Sequence, residues 1–220
     1  MRLSDRRNSV GSDGIVLIGP SQRADAAMRM YNADGTEGLI AGNALRCVVK
    51  YLYESGRVRK DRMNIETGNG IKSAQLYIRE DTVFSVLVDM GCPSFAPEQV
   101  PVKLDGDRVL MRMVPLAGED RMISCVSMGN PHVVMFVDDV DRIQLEHVGP
   151  AIEHADLFPQ RVNVSFAQLT SRNILRMRVW ERGIGETAAC GTAACAAAVL
   201  AVENGLCTRG ADILVHMPGG

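Results

Sequence analysis

No run of apolar residues in this 220-residue chain reaches the roughly 20 needed to span a bilayer. Nor is there an excess of charge of one sign: 24 Lys and Arg stand against 26 Asp and Glu, a formal net charge of −2. The charges are interspersed and form no basic tract, so nothing points to nucleic acid or a membrane surface as partner. Met1 to Asn8 is charged and polar, unlike a secretory signal. The cysteines, at 47, 92, 125, 190, 195 and 207, contain no CxxC pair and no His/Cys metal spacing. That argues against zinc, and scattered cysteines in a chain of this size fit a reducing cytoplasm.

What is present is concentrated between Trp180 and Leu200. There the sequence Trp-Glu-Arg-Gly-Ile-Gly-Glu-Thr-Ala-Ala-Cys-Gly-Thr leads into an Ala-rich run. Cys190 falls where a Gly-rich loop gives way to a helix. At such a position, unpaired backbone N–H groups and the helix dipole favour a thiolate. The N–H groups of Gly191 and Thr192 can hold a substrate carboxylate at the same place. The plainer alternative, a small buried hydrophobe, suits Cys195 inside the helix better than Cys190.

The coarse pattern is mixed. Strands are expected at Ile15–Ile18, Ala26–Tyr31, Asn64–Thr67, Ala74–Ile78, Phe84–Val88, Met122–Ser127, Val133–Val137, Arg161–Gln168 and Ile174–Trp180. Asn32-Ala33-Asp34-Gly35 is a turn signal. Helices are expected near 43–55, ending at Gly56, and near 191–204, with a shorter one within Asp141–His154. The stretch from Gly91 to Pro101 reads as a linker, dividing the chain into a half at 1–96 and a half at 97–220.

An internal repeat supports two halves. When Ala41 is aligned with Cys190, Glu37 falls on Glu186, Gly42 on Gly191 and Ala44 on Ala193. Glu54-Ser55-Gly56 then falls on Glu203-Asn204-Gly205. The expectation is an α/β (α+β) protein of two pseudo-symmetric halves, each a curled mixed sheet around a central helix, with a ligand site between them.

These residues also carry a family resemblance. Tyr31 to Glu37, Gly42 to Cys47, Met128 to His132, Asn163 to Phe166 and Glu181 to Thr192, in that order, resemble the diaminopimelate epimerase family. Its members invert one α-carbon of diaminopimelate without pyridoxal phosphate or any other cofactor. The resemblance covers most of the chain and implies the two-half fold just described. It implies two cysteines on opposite faces of the α-carbon, one removing the proton and the other delivering one, because inversion needs a base and an acid on opposite sides. Cys190 matches the second of these. His132 and Glu181 match residues that tune cysteine protonation. Asn32, Asn130 and Asn163 match substrate-binding asparagines, and Glu181 and Arg182 a further contact pair. Gly42-Asn43 and Gly191-Thr192 match the two helix-start cradles. The implied setting is lysine and peptidoglycan biosynthesis in the cytoplasm, with a small amino acid as the partner molecule. A homodimer is compatible with it.

Three departures from the family pattern stand out. Ala41 occupies the position of the other catalytic cysteine, and the internal repeat gives the same answer. The family's opening strand with its Gly-Asn-Asp turn does not precede Arg2, and its further strands do not follow Pro218-Gly219-Gly220. The chain therefore reads as an interior piece of a longer protein or a truncated product.

The residues leave alternatives at several positions. Cys47, six residues after Ala41, could serve as the missing base, although helix geometry points it toward the core. His132 could be a surviving acid or base, or a structural histidine. Asn32 and Asn130 could be turn residues, and Arg182 either an anion contact or a solvated charge. Glu37 and Glu186 could simply favour the helix N-termini. Three other functions fit as well: a related racemase of different substrate, an acyl-transferring or hydrolytic enzyme with Cys190 as nucleophile and His132 as base, and a non-catalytic amino-acid-binding remnant.

Overall fold

The structure, a computed structural model, describes residues 3–12, 14–32, 35–38 and 42–220. It divides into two units, Met1–Met90 and Gly91–Gly220.

The first unit runs β1 (Gly14–Gly19), β2 (Ala26–Asn32), β3 (Glu37–Gly38), α1 (Gly42–Glu54), β4 (Arg62–Thr67), β5 (Gly70–Arg79) and β6 (Thr82–Val88). The strands hydrogen-bond in the order β1-β2-β4-β5-β6, with β3 added beside β2. Among the described residues of this unit only β2 and β4 pair parallel, at Ala26↔Ile65, and α1 makes the crossover that a parallel pair requires. Leu45, Val48, Val49 and Leu52 give α1 one buried stripe, at the spacing of a helix with a single apolar face. They pack with Met28, Met63, Ile65, Leu76 and Val83 from the sheet. Gly56, at φ +74°, ends the helix in the left-handed conformation that lacks a Cβ penalty.

The second unit runs β7 (Arg112–Leu116), β8 (Glu119–Ser127), β9 (Pro131–Phe136), α2 (Leu145–Glu153), β10 (Asn163–Ser171), β11 (Ile174–Glu181), β12 (Gly185–Thr187), α3 (Gly191–Glu203) and β13 (Leu214–His216). Its sheet has the order β12-β11-β10-β9-β8-β7, with β13 also beside β11. The parallel pair β9–β10 is bridged by α2, whose Leu145 and Ile152 pack against Val133, Met135, Val164 and Phe166. The alternate residues His132, Val134, Asn163 and Ser165 therefore share the opposite face, where α3 lies against β8 to β11. Every residue of α3 is buried or partly buried. Its run of alanines is the composition that lets a central helix touch packing partners all round.

Both halves repeat one scheme. The offset that carries residue 41 to 190 carries α1 onto α3 residue for residue. It also carries the pairs Ile15↔Tyr31, Met30↔Gly38 and Tyr31↔Glu37 onto Val164↔Trp180, Val179↔Thr187 and Trp180↔Glu186. The fold is thus a mixed α+β architecture of two curled sheets. Strands β3, β7, β12 and β13 were not expected from the sequence. Cys47 was expected to face the core; it is exposed on α1. Cys195 is only partly buried. None of the helices is long and apolar enough to cross a membrane, among the described residues.

Candidate active site

Of the residues singled out above, Cys190, His132, Glu181, Asn130, Asn163, Arg182, Gly191 and Thr192 lie in the second unit. Asn32, Gly42 and Asn43 lie in the first. Ala41 lies outside the described residues.

Cys190 is the residue immediately before α3, in extended conformation (φ −137°, ψ 110°), and its carbonyl accepts from Ala194 at 3.0 Å. The residue is only 7% exposed. The cover includes the turn Met217–Gly220: the Cys190 N–H points at Met217 Sδ, 3.5 Å away, and Gly219 N–H donates to Ala188 O at 2.7 Å. A Cβ on Gly219 would sit 3.0 Å from that carbonyl oxygen, so the turn needs glycine to lie this close.

This environment corrects the expectation of an activated thiolate. Burial, followed by the negative charge of Glu181, pushes the Cys190 thiol up to about 11. The Thr192 hydroxyl, 3.4 Å from Sγ, and the Ala193 N–H act the other way and are outweighed. The helix start is present, but desolvation dominates. Cys190 is a protonated thiol at neutral pH.

From Cys190 a chain of polar contacts runs inward. Asn130 Nδ2 donates to Thr192 Oγ1 at 3.3 Å, and Asn130 Oδ1 lies 2.9 Å from His132 Nε2. His132 is fully buried, and burial together with the Arg182 charge lowers its imidazole to about 3. Burial thus favours the neutral ring. Its Nε2 is in contact with Asn130. Its Nδ1 and the Ser165 hydroxyl on the neighbouring strand have no hydrogen-bond partner among the described residues.

The β11–β12 hairpin supplies the rest. Glu181, at the end of β11, accepts from Thr187 Oγ1 at 2.5 Å. Arg182 is exposed, and its guanidinium donates one bond to Gln160 O at 3.1 Å. Asn163 uses both ends of its amide internally, donating to Pro131 O at 2.8 Å and accepting from the Arg182 backbone N–H at 3.0 Å. In this structure Asn163 clasps the hairpin, with one bond at each end of its amide. Glu186 forms a two-pronged ion pair with Arg178, at 2.8 and 3.0 Å, and Glu37 does the same with Arg29 at 2.8 Å for both prongs. Both carboxylates are thus paired with arginines in corresponding places of the two halves.

In the first unit, Asn32 closes its turn. Its N–H donates to Thr36 O at 2.8 Å and its Nδ2 to Thr36 Oγ1 at 2.9 Å. Gly42 opens α1 and is buried, with Met90 Sδ 3.5 Å from where a Cβ would be. Asn43 Oδ1 accepts from Arg46. The first-turn N–H groups of both helices are the ones that any helix leaves without intrahelical partners, so each can receive a carboxylate. No group of His, Cys, Asp or Glu is arranged to hold a metal ion, among the described residues.

The sequence reading missed Glu153, Trp180 and Met217. A signal existed for Glu153: Leu145, Gly149, Ile152 and Glu153 fall on the buried face of α2, so helical periodicity alone places this carboxylate inside. Met217 carried none.

Comparison with known proteins follows the same outline. A solved structure, a probable proline racemase from Agrobacterium radiobacter, matches with TM-score 0.66 at 20% identity, over 96% of this chain and 66% of that one. This places the fold among two-half proteins of that kind. The family profile described as diaminopimelate epimerase matches residues 1–96 and 124–220. The diaminopimelate epimerase of Acetivibrio thermocellus is 47% identical over 96% of this chain and 76% of its own length. That of Desulfovibrio desulfuricans is 47% identical over the whole of this chain and 78% of its own. The chain belongs to the diaminopimelate epimerase family.

Proposed function

We propose that the chain is a cofactor-independent isomerase that inverts the α-carbon of LL-diaminopimelate to the meso form. The observation that carries this reading is Cys190: a protonated thiol at the start of α3, beside Glu181, with helix N–H groups next to it. A thiol in that state can hand a proton to a carbanion. The helix N-terminus can hold the substrate carboxylate and stabilise the negative charge that develops as the α-proton leaves. Glu181 keeps the sulfur protonated until that moment. Asn130 and Thr192 orient it, and His132 orients Asn130. Asn32, Gly42 and Asn43 are the corresponding substrate-binding candidates of the first half. Free diaminopimelate is a small cytoplasmic metabolite in lysine and peptidoglycan synthesis, and the chain's scattered cysteines suit a reducing compartment. We place it there, and a homodimer is compatible with the reading.

Ala41 favours a second reading. A methyl group neither takes nor gives a proton. With Cys190 as the only thiol at the α-carbon, the chain would exchange the proton on one face and invert slowly. Incubation with LL- and meso-diaminopimelate in deuterated water, followed by chiral separation, distinguishes the two. Accumulation of the inverted isomer supports the first reading. Deuterium at the α-carbon without inversion supports the second. Deuterium entering a different amino acid but neither form of diaminopimelate overturns the substrate, and the absence of deuterium in any of them overturns the isomerase.

A further inference from the structure

Glu153 is the last residue of α2, and it is 2% exposed. Both facts count against a carboxylate there. A buried charge is costly unless it is well hydrogen-bonded, and the C-terminal end of a helix is the negative end of its dipole. Helix stability therefore gives no reason for it. Its two oxygens are divided between two donors of the β11–β12 hairpin: Trp180 Nε1 donates to Oε2 at 2.8 Å, and the Gly183 backbone N–H donates to Oε1 at 2.9 Å. Arg161 Nη1 stands 3.8 Å from Oε1 and His154 Nδ1 4.0 Å from Oε2, both at the surface. The Trp180 indole is held tightly between elements: a Cβ on Gly149 of α2 would come within 2.7 Å of it, and one on Gly185 within 3.6 Å.

Trp180 and Gly183 bracket Glu181 along the chain, at −1 and +2. Their anchors fix the backbone on either side of the carboxylate that faces Cys190. Asn163 holds the residue between, through the Arg182 N–H. We propose that Glu153 is a positioning residue: it pins the turn after Glu181 and thereby keeps the Glu181 carboxylate against the Cys190 thiol. This rests on reading Cys190 as the proton donor. A carboxylate suits the task because it accepts on both oxygens. A glutamine accepts on one only, and its NH₂ would confront the other N–H.

The test uses the full chain with Glu153→Gln, and Trp180→Phe, which keeps a ring against Gly149 and removes the donor together with the outer ring near Gly185. Trp180 is the single tryptophan, so its fluorescence in Glu153→Gln reports the altered contact directly. Three further readings are taken: amide hydrogen exchange of the peptide containing Gly183, alkylation rate of Cys190 read on its own peptide, and kcat and KM for inversion. Expected in Glu153→Gln are faster exchange at Gly183 and several-fold faster alkylation of Cys190, because the displaced Glu181 no longer suppresses the thiolate. A fall in kcat of up to about 100-fold with little change in KM is the matching kinetic result. Trp180→Phe should move each reading in the same direction by less. A folded Glu153→Gln with Gly183 exchange and Cys190 alkylation unchanged overturns the proposal. If Glu153→Gln does not fold, Trp180→Phe decides by the same two readings. An unaltered chain that never exchanges the α-proton overturns the isomerase reading alone, since exchange at Gly183 and alkylation at Cys190 need no turnover.

Discussion

The hairpin that leads into α1 and the hairpin that leads into α3 are the same device built twice, with unequal support. Each places an arginine on the long strand and a glutamate on the short one, Arg29 with Glu37 and Arg178 with Glu186, in corresponding registers. In the first half the pair is exposed, and the guanidinium also lies 5.6 Å from the Tyr31 ring. In the second the pair is much less exposed. Arg178 also donates to Val140 O at 3.2 Å and Ile143 O at 2.8 Å, Trp180 takes the place of Tyr31, and Glu153 holds it. The helices differ likewise. Helix α1 carries one apolar face with Cys47 and Tyr51 outside, while α3 has no exposed residue. The buttressed half ends in Cys190, and the corresponding position of the other half is Ala41. A repeat fixes the path of the backbone. What surrounds each copy decides what that path can do.

The largest expected effect comes from restoring the symmetry. If the two helix starts need a proton-transfer group each, Ala41→Cys should raise inversion of LL-diaminopimelate by about 10²–10⁴-fold, the usual worth of a positioned acid or base. Its effect on substrate affinity should be small. Equal turnover in the parent and the variant would show that another residue supplies the second proton.

A second comparison concerns the thiols. Exposed Cys47 and Cys92 should react with an alkylating agent before Cys190 does. As pH rises, the Cys190 rate should keep climbing toward about 11, past the ordinary thiol value of 9.0. The sign follows from cause: burial and Glu181 both disfavour the anion, so Glu181→Gln should bring the midpoint down. Peptide-level mass spectrometry across pH reads all three sites together, and a Cys190 rate that levels off below pH 9 would break the account.

The smallest effect separates the two ion pairs. Arg178→Leu removes bonds to Glu186 and to two backbone carbonyls, whereas Arg29→Leu removes a solvent-screened pair. Thermal melts should show a Tm lower by several degrees for the former and nearly unchanged for the latter. Equal losses would mean that the buttress of the second half adds no stability.

Much of this was legible in the chain. The stripe Leu45, Val48, Val49, Leu52 and the alanines after Gly191 announce both central helices, because helical spacing and composition are local properties. Matching the halves needed only the equal distance from Ala41 to Glu54 and from Cys190 to Glu203. Strands β3 and β12 were hidden because two or three residues of Glu, Gly and Thr carry no alternation. The state of Cys190 was misread for a tertiary reason. Met217, far along the chain, helps bury it, and Glu181 reaches it only through the hairpin fold. Asn163 and Arg182 were placed at the site, but their hydrogen bonds to Pro131 and Gln160 depend on neighbouring segments that no motif specifies.

The central claim is that Cys190 moves the proton at the substrate α-carbon, and one measurement addresses it most directly. The unaltered chain and Cys190→Ala are each incubated with LL- and meso-diaminopimelate in deuterated water, and deuterium at the α-carbon is followed by mass spectrometry, with circular dichroism used to confirm that both are folded. The account predicts deuterium incorporation by the unaltered chain and none above the uncatalysed background by Cys190→Ala. Incorporation at the same rate by folded Cys190→Ala would contradict it.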